Sequence, residues 1–338
     1  MGGLQQKQTF TESTNGRPVL INQNDNQLVV AWNNANRPSR INVMTSVDGF
    51  TWNPKFIIST EGTVGSPGLA YDSATQTTYI AWSGDDPGHH LNILRSNGPA
   101  LNVWTQKQTI WTQVSVYGPS LAFGAGLLFV AWADDTSNGN LHVATTTDGG
   151  ASFTTQVTLP EQSNAQPSLV FQSNKLILSW ESASNQKLSF AECTDFTTLT
   201  FVNNVVINDS GNNVGDPGVF SNMSPSVAFD ADGFSWVSWV TASSDGQKNG
   251  VLNQIMSEKG TTNGFTDIPN YHRQFRAQKA GSGPALCYYQ GNMFIAWQAG
   301  SAPFQLQTAI LNRGSVAVYG LLPQPPSLWN RLVRMVWG

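Results

Sequence analysis

The sequence repeats one phrase six times: a proline, a short alternation of apolar and polar residues, a turn, and a second apolar stretch that ends on tryptophan. The prolines are Pro18, Pro67, Pro119, Pro167, Pro225 and Pro284, and the tryptophans are Trp32, Trp82, Trp132, Trp180, Trp239 and Trp297. Each proline precedes its tryptophan by 13, 14 or 15 residues. A third apolar stretch opens nine residues after four of the tryptophans, at Ile41, Leu91, Leu141 and Leu306, after eight at Leu188 and after thirteen at Leu252. A repeat of this length makes one body at any chain length, so the 338 residues do not imply two or three separate domains.

One unit shows what the repeat builds. Gly118 to Phe123 alternates in period two and reads as a strand. Gly124-Ala125-Gly126 is a turn signal. Leu127 to Trp132 is continuously apolar, as in a strand buried on both faces. Ala133 to Asn140 is a polar loop, Leu141 to Thr145 a third strand, Thr147 to Gly150 a turn, and Phe153 to Leu159 a fourth strand. A lone four-stranded sheet of this kind leaves an apolar face on each side. Sheets arranged like spokes around an axis bury those faces against their neighbours, and closing the ring covers the last pair. The pattern therefore predicts an all-β fold, a six-bladed β-propeller over residues 1–313. Each repeat Trp is expected to fill the gap between blades, at roughly 2–3 kcal/mol of burial; the rival reading makes it a platform for stacking sugars. Gln6 to Phe10 matches Gln106 to Ile110, the fourth strand of blade two. An N-terminal strand would thus complete blade six, with Ser315 to Leu322 as the other candidate for that place.

Composition narrows the partners. Charged residues make up 11% of the chain, the formal net charge is −4, and no basic block occurs before the last dozen residues. That excludes a duplex nucleic acid partner, which needs clustered Lys and Arg. Cys193 and Cys287 fall in different blades and are expected as buried thiols. Met1 to Phe10 is polar and contains no signal-like apolar stretch, although the composition leans toward an extracellular or cell-surface setting. No run reaches the roughly 20 apolar residues of a membrane span.

The turns between third and fourth strands carry a resemblance. Ser46-Val47-Asp48-Gly49-Phe50-Thr51-Trp52 and Thr146-Thr147-Asp148-Gly149-Gly150-Ala151-Ser152-Phe153 resemble the Asp-box of sialidases and related propellers. Eroded versions stand at Ser96-Asn97-Gly98, Thr194-Asp195 and residues 257–265. The resemblance implies a six-bladed sialidase-like propeller, with the boxes on the face opposite the active site. It further implies three arginines for a substrate carboxylate, a Tyr–Glu nucleophile pair and an Asp acid/base. Arg17 stands in the strand that would carry the first arginine, but directly before Pro18 and without the family's neighbouring aromatic. The equivalent slots hold Ser66, Gly118, Gln166, Ser224 and Gly283, so Arg17 is a substitution at a variable position. Of the nine arginines, Arg95 lies near a turn of the wrong face, Arg331 and Arg334 belong to the tail, and Arg273 and Arg276 sit between blades five and six. None of the seven tyrosines stands in a recognisable Tyr–Glu pairing.

Function in a propeller belongs to loops on a rigid scaffold. The loops between second and third strands share one face with the connections between blades. Blade one contributes Arg37 and Arg40, blade two Asp85, Asp86, His89 and His90, blade three Asp134 and Asp135, blade four Glu181, and blade five Asp245 and Lys248. Carboxylates and arginines of this kind accept from and donate to sugar hydroxyls. The four aspartates also suit calcium, although no cofactor is demanded, and the plain alternative is that they cap turns. A close approach of Asp85 to Asp134 would raise a pKa. The expected function is glycan binding through this face. The alternatives are a sialidase-like exo-glycosidase hydrolysing terminal sugars and a protein-interaction scaffold with no small-molecule site.

Residues 314–338 fall outside the repeat. Pro323-Gln324-Pro325-Pro326 reads as a stiff linker, and Ser327 to Trp337 as a short helix capped by Ser327. This helix would pack on the propeller, lie on a membrane surface or meet a protein partner.

Overall fold

The computed structural model describes residues 4–36, 38–136, 139–206, 220–241, 250–256 and 273–311. Within them, strands form six four-stranded antiparallel sheets, one per repeat. Blade one is β2 (Val19–Gln23), β3 (Gln27–Asn33), β4 (Arg40–Ser46) and β5 (Phe56–Gly62). Blade two is β6 (Gly68–Asp72), β7 (Thr77–Ser83), β8 (His90–Ser96) and β9 (Trp104–Val114). Blade three is β10 (Ser120–Gly124), β11 (Leu127–Ala133), β12 (Asn140–Thr146) and β13 (Thr155–Gln162). Blade four is β14 (Ser168–Gln172), β15 (Lys175–Glu181), β16 (Leu188–Cys193) and β17 (Phe201–Val206). Blade five is β18 (Ser226–Phe229), β19 (Ser235–Val240), β20 (Gly250–Met256) and β21 (Arg273–Ala280). Blade six is β22 (Ala285–Tyr289), β23 (Asn292–Gln298), β24 (Gln305–Leu311) and, from the other end of the chain, β1 (Leu4–Ser13), which pairs with β24. Helix is absent among the described residues. Residues 312–338, with the expected tail helix 327–337 and the alternative strand Ser315 to Leu322, lie outside them.

The core is divided into six apolar clusters, one at each junction between neighbouring blades. Every cluster contains one repeat Trp. Trp82 joins blade two to Val29, Ala31 and Ile41 of blade one, and Trp132 joins blade three to Tyr79, Ala81 and Leu91 of blade two. Trp32 joins blade one to Leu306 and Ile310 of blade six, across the chain ends. None of the six indoles is more than 1% exposed, so they are packing residues and the sugar-platform reading of them fails. Cys193 and Cys287 are buried free thiols.

Two local devices orient the faces. On one face, the turns from third to fourth strands are tied by side chains. Asp48 accepts from the amides of Phe50 and Thr51, and Gly49 N donates to Ser46 Oγ. Asp148 accepts from the amide and hydroxyl of Ser152, and Gly150 N donates to Thr146 Oγ1. Phe153 does not begin the fourth strand as the sequence predicted. It stacks on Trp132, with centroids 6.0 Å apart, beneath the turn, and pairing starts only at Thr155. On the opposite face, which carries the loops, a buried hydroxyl stands four residues before the proline in five of the six blades: Thr14, Thr63, Ser115, Ser163 and Ser221. Four of these hydroxyls donate to the carbonyl two residues on. Ser115 Oγ instead accepts from Tyr117 N. Such short-range bonds fix the chain's entry into each innermost strand, and so aim the residue before each proline at the axis.

Candidate functional site

Arg17 occupies that position in blade one and is 7% exposed. Its guanidinium lies across the axis. Nε donates to Pro284 O of blade six at 2.9 Å, Nη1 to Gln166 Oε1 at 3.5 Å and Nη2 to Ser168 Oγ of blade four at 3.4 Å. Gln166, the equivalent residue of blade four, donates through Nε2 to Ser66 O, Pro67 O and Pro119 O of blades two and three. Two side chains therefore bridge five blades at the loop-face end of the axis. Burial lowers the Arg17 pKa to about 10, which leaves it a cation at neutral pH. Arg17 does not stand free to meet a ligand on the loop face.

The carboxylates of blades two and three meet histidines. Asp86 Oδ1 lies 2.6 Å from His90 Nδ1 within its own loop. Asp135 Oδ2 lies 3.0 Å from His89 Nδ1, which links blade three to blade two. Asp134 Oδ2 lies 3.1 Å from His142 Nε2, and Thr158 Oγ1 lies 3.0 Å from the other ring nitrogen. Asp134 also accepts from Thr136 N and Oγ1 and from Asn140 N and Nδ2. Burial pushes Asp134 up, but its bonds from Thr136, His142 and Asn140 outweigh that and hold it at about 2. Asp86 is also lowered: burial is outweighed by His90 and Gly88 N. Both carboxyls are lowered on balance by their hydrogen-bond donors. Among the described residues no group of three or more His, Cys, Asp and Glu is placed to hold a metal ion.

Arg40 opens β4, paired with Gly62, and Asp85 packs over that glycine, where an added Cβ would lie 1.9 Å from its Oδ2. Glu181 closes β15 and is 2% exposed. Burial raises its carboxyl to about 7, against one bond from Asn164 N. Tyr117, in the connection entering blade three, is raised by burial and then by the charges of Asp135, Glu181 and Asp134. The charges of Asp135, Glu181 and Asp134 thus bear on Tyr117, and His89 meets Asp135. The structure sets Asp85 over Gly62, the strand partner of Arg40, and turns Arg17 inward. Arg37, Asp245 and Lys248 lie outside the described residues, as do the side chains of Arg273 and Arg276.

Sequence reading passed over Tyr117, His142 and Trp111, and placed Gln166 in the slot equivalent to Arg17 without a role. Trp111, on the outer strand β9, is 69% exposed, and its ring lies 4.9 Å from that of His90. Its signal was present: a tryptophan outside the repeat phrase, directly after Ile110 in a strand whose segment Thr105–Thr109 is polar.

No family model matches the sequence, and no curated protein matches it significantly. Solved structures do share the fold. The Hadza microbial sialidase Hz136 superposes with a TM-score of 0.62 at 13% identity, over 87% of this chain and 65% of its own. The Trypanosoma rangeli sialidase in complex with the inhibitor DANA gives 0.60 at 14% identity, over 96% and 57%. A protein of unknown function from Dyadobacter fermentans gives 0.62 at 15% identity, over 90% and 99%. This chain therefore spans less than two thirds of the two sialidases and nearly all of the third protein. Six radial sheets, with the arrangement shared by these neighbours, make this a sialidase-like six-bladed propeller fold.

Proposed function

We propose that this propeller binds glycans at the loop-face rim of blades two and three. The observation that carries the reading is Trp111, a large exposed indole set beside His90 and the Asp86 carboxylate. An exposed aromatic face takes the apolar side of a pyranose, while adjacent carboxylates accept from its hydroxyls. The His89–Asp135 bond couples the two blades, so the polar groups are held before a ligand arrives. The Asp-tied turns at Asp48 and Asp148 and the sialidase neighbours support a glycan-related reading at the level of the fold. The test is a glycan array with the full chain, with calcium and with chelator, followed by titration of the best ligand. Trp111→Ala should weaken binding by about tenfold or more, the value of one stacking contact near 1.4 kcal/mol, without lowering the melting temperature. Undiminished affinity in that variant would refute the site, and a blank array would favour a protein-interaction scaffold.

A second reading rests on Glu181 and Tyr117. A buried carboxyl protonated near neutral pH, within electrostatic reach of a phenol, is suited to acid–base chemistry on a terminal sugar. Turnover of a fluorogenic sialoside that disappears in Glu181→Gln would establish this exo-glycosidase reading. The inward guanidinium of Arg17 weighs toward binding, since it is engaged by Pro284, Gln166 and Ser168.

A further inference from the structure

We propose that Thr158, His142 and Asp134 act as nucleophile, general base and orienting carboxylate, and hydrolyse short acyl esters on the outer wall of blade three. These side chains stand in one line of hydrogen bonds. Asp134 Oδ2 lies 3.1 Å from His142 Nε2, and Thr158 Oγ1 lies 3.0 Å from His142 Nδ1. A hydroxyl within reach of a base that a further group holds in place is the arrangement of an activated nucleophile.

The partners decide where the protons sit. Asp134 is held at about 2, so at neutral pH it can only accept. The neutral imidazole then carries its proton on Nε2, facing Asp134, and presents the Nδ1 lone pair to the Thr158 hydroxyl. Asp134 is itself fixed, since Thr136 N and Oγ1 and Asn140 N and Nδ2 also donate to it. The Trp132 indole stacks on the His142 ring, with centroids 5.1 Å and planes 13° apart. Its face favours the imidazolium that forms when the ring takes a second proton.

The hydroxyl can be reached from solvent. His142 and Thr158 are register partners on β12 and β13; the ring is half-buried and Thr158 is exposed. Gln156, two residues before Thr158, lies on the same face of the strand and accepts from Gln113 Nε2 of blade two at 3.3 Å. That face therefore looks into the seam between the outer strands of blades two and three. The bond from Gln113 takes the Gln156 oxygen and leaves its amide nitrogen to donate to an oxyanion. An open seam buries little of what it binds, which suits a short acyl group. In the reaction, Thr158 Oγ1 adds to the ester carbonyl carbon while its proton passes to His142 Nδ1. The tetrahedral oxyanion collapses, the C–O bond to the alcohol breaks, and the alcohol leaves with the proton from Nδ1. Water then adds to the acyl-threonine through the same base, which releases the carboxylic acid and restores Thr158. This inference is independent of the glycan reading, which rests on Trp111, His90 and Asp86.

The test uses the full chain and p-nitrophenyl acetate. Wild-type protein should release p-nitrophenol catalytically, beyond a single equivalent, and release at the buffer rate would overturn the proposal. His142→Gln should slow the release about a hundredfold, the contribution of a general base. Thr158→Val, which keeps the side-chain shape and removes the hydroxyl, should abolish it. Release that continues unchanged in either variant would also overturn the proposal. A measurement on the wild type alone covers the case in which a variant folds poorly. Nitrogen-15 NMR of the imidazoles should find neutral His142 protonated on Nε2, and a proton on Nδ1 instead would refute the assignment of the base. Asp134→Asn should weaken that tautomer preference together with the release, whereas a purely structural Asp134 would leave the tautomer unchanged.

Discussion

Replacing Glu181 by glutamine should change how stability depends on pH. The folded chain holds the Glu181 carboxyl at about 7, against an ordinary value of 4.5. The folded state therefore binds this proton more tightly than the unfolded state. The stability linked to it is fully present below about 4.5 and is lost as pH rises through about 7. At about 1.4 kcal/mol for each factor of ten in affinity, the loss between those limits is about 2–3 kcal/mol. Glutamine keeps an oxygen that can accept from Asn164 N but cannot ionise, so Glu181→Gln should behave like the protonated protein at every pH. The assay is urea denaturation of both proteins from about pH 5 to about pH 8, reading the difference in unfolding free energy. Contributions from other groups are shared by both proteins and cancel in that difference. Asp86 and Asp134 act with the opposite sign: their pKa values are depressed, so their stability is present above the ordinary carboxylate range and is lost as pH falls, for Asp134 toward about 2. They do not contribute within the tested window. The variant should gain on the wild type as pH rises. A difference flat to within about 0.5 kcal/mol would refute the idea that a desolvated carboxyl sits there.

Two substitutions probe the scaffold. Trp132→Ala removes a fully buried indole from the junction of blades two and three, and should cost about 3–5 kcal/mol in urea unfolding. Gly118→Ala places a Cβ 2.0 Å from Ser66 O at a φ of +93°; the loss should exceed about 2 kcal/mol and appear as a lower melting temperature. An unchanged midpoint in either variant would contradict the packing described for it.

The six-bladed architecture was legible because its cause is local and repeated. Each blade must bury two apolar faces, and the same Pro-to-Trp phrase encodes that need six times. The match of Gln6–Phe10 to Gln106–Ile110 was similarly readable, since a strand without a blade has to pair with something, and β1 pairs with β24. The rim was only half legible. Asp85, Asp86, Asp134 and Asp135 fell in equivalent loops, but their partners His90, His89 and His142 are chosen by geometry between loops and strands. Arg17 shows the limit most clearly. Its slot before Pro18 was visible, yet whether a side chain at the axis points out to the loop face or across the ring depends on acceptors 149 and 267 residues away, Gln166 and Pro284. The hydroxyl four residues before five of the six prolines was in plain view, but its meaning needed the turn it closes.

The state of the axis bears on where a ligand can bind. An inward-pointing side chain has two uses in a ring of sheets: it can line a central pocket, or it can tie opposing blades together. Here Arg17 and Gln166 together reach blades two, three, four and six from positions in blades one and four. Drawing Arg17 back to the loop face would break its bonds to Pro284, Gln166 and Ser168. Leaving their acceptors buried and unpaired would cost on the order of 1–3 kcal/mol each, so a central ligand would have to compensate that loss before gaining affinity. A rim ligand at Trp111 and Asp86 faces no such cost. The axis and the rim therefore make separable demands: Arg17→Gln should leave rim binding intact, while Trp111→Ala should weaken it by about tenfold or more. If Arg17→Gln abolished rim binding in a folded protein, the axis and the rim would have to be parts of one site.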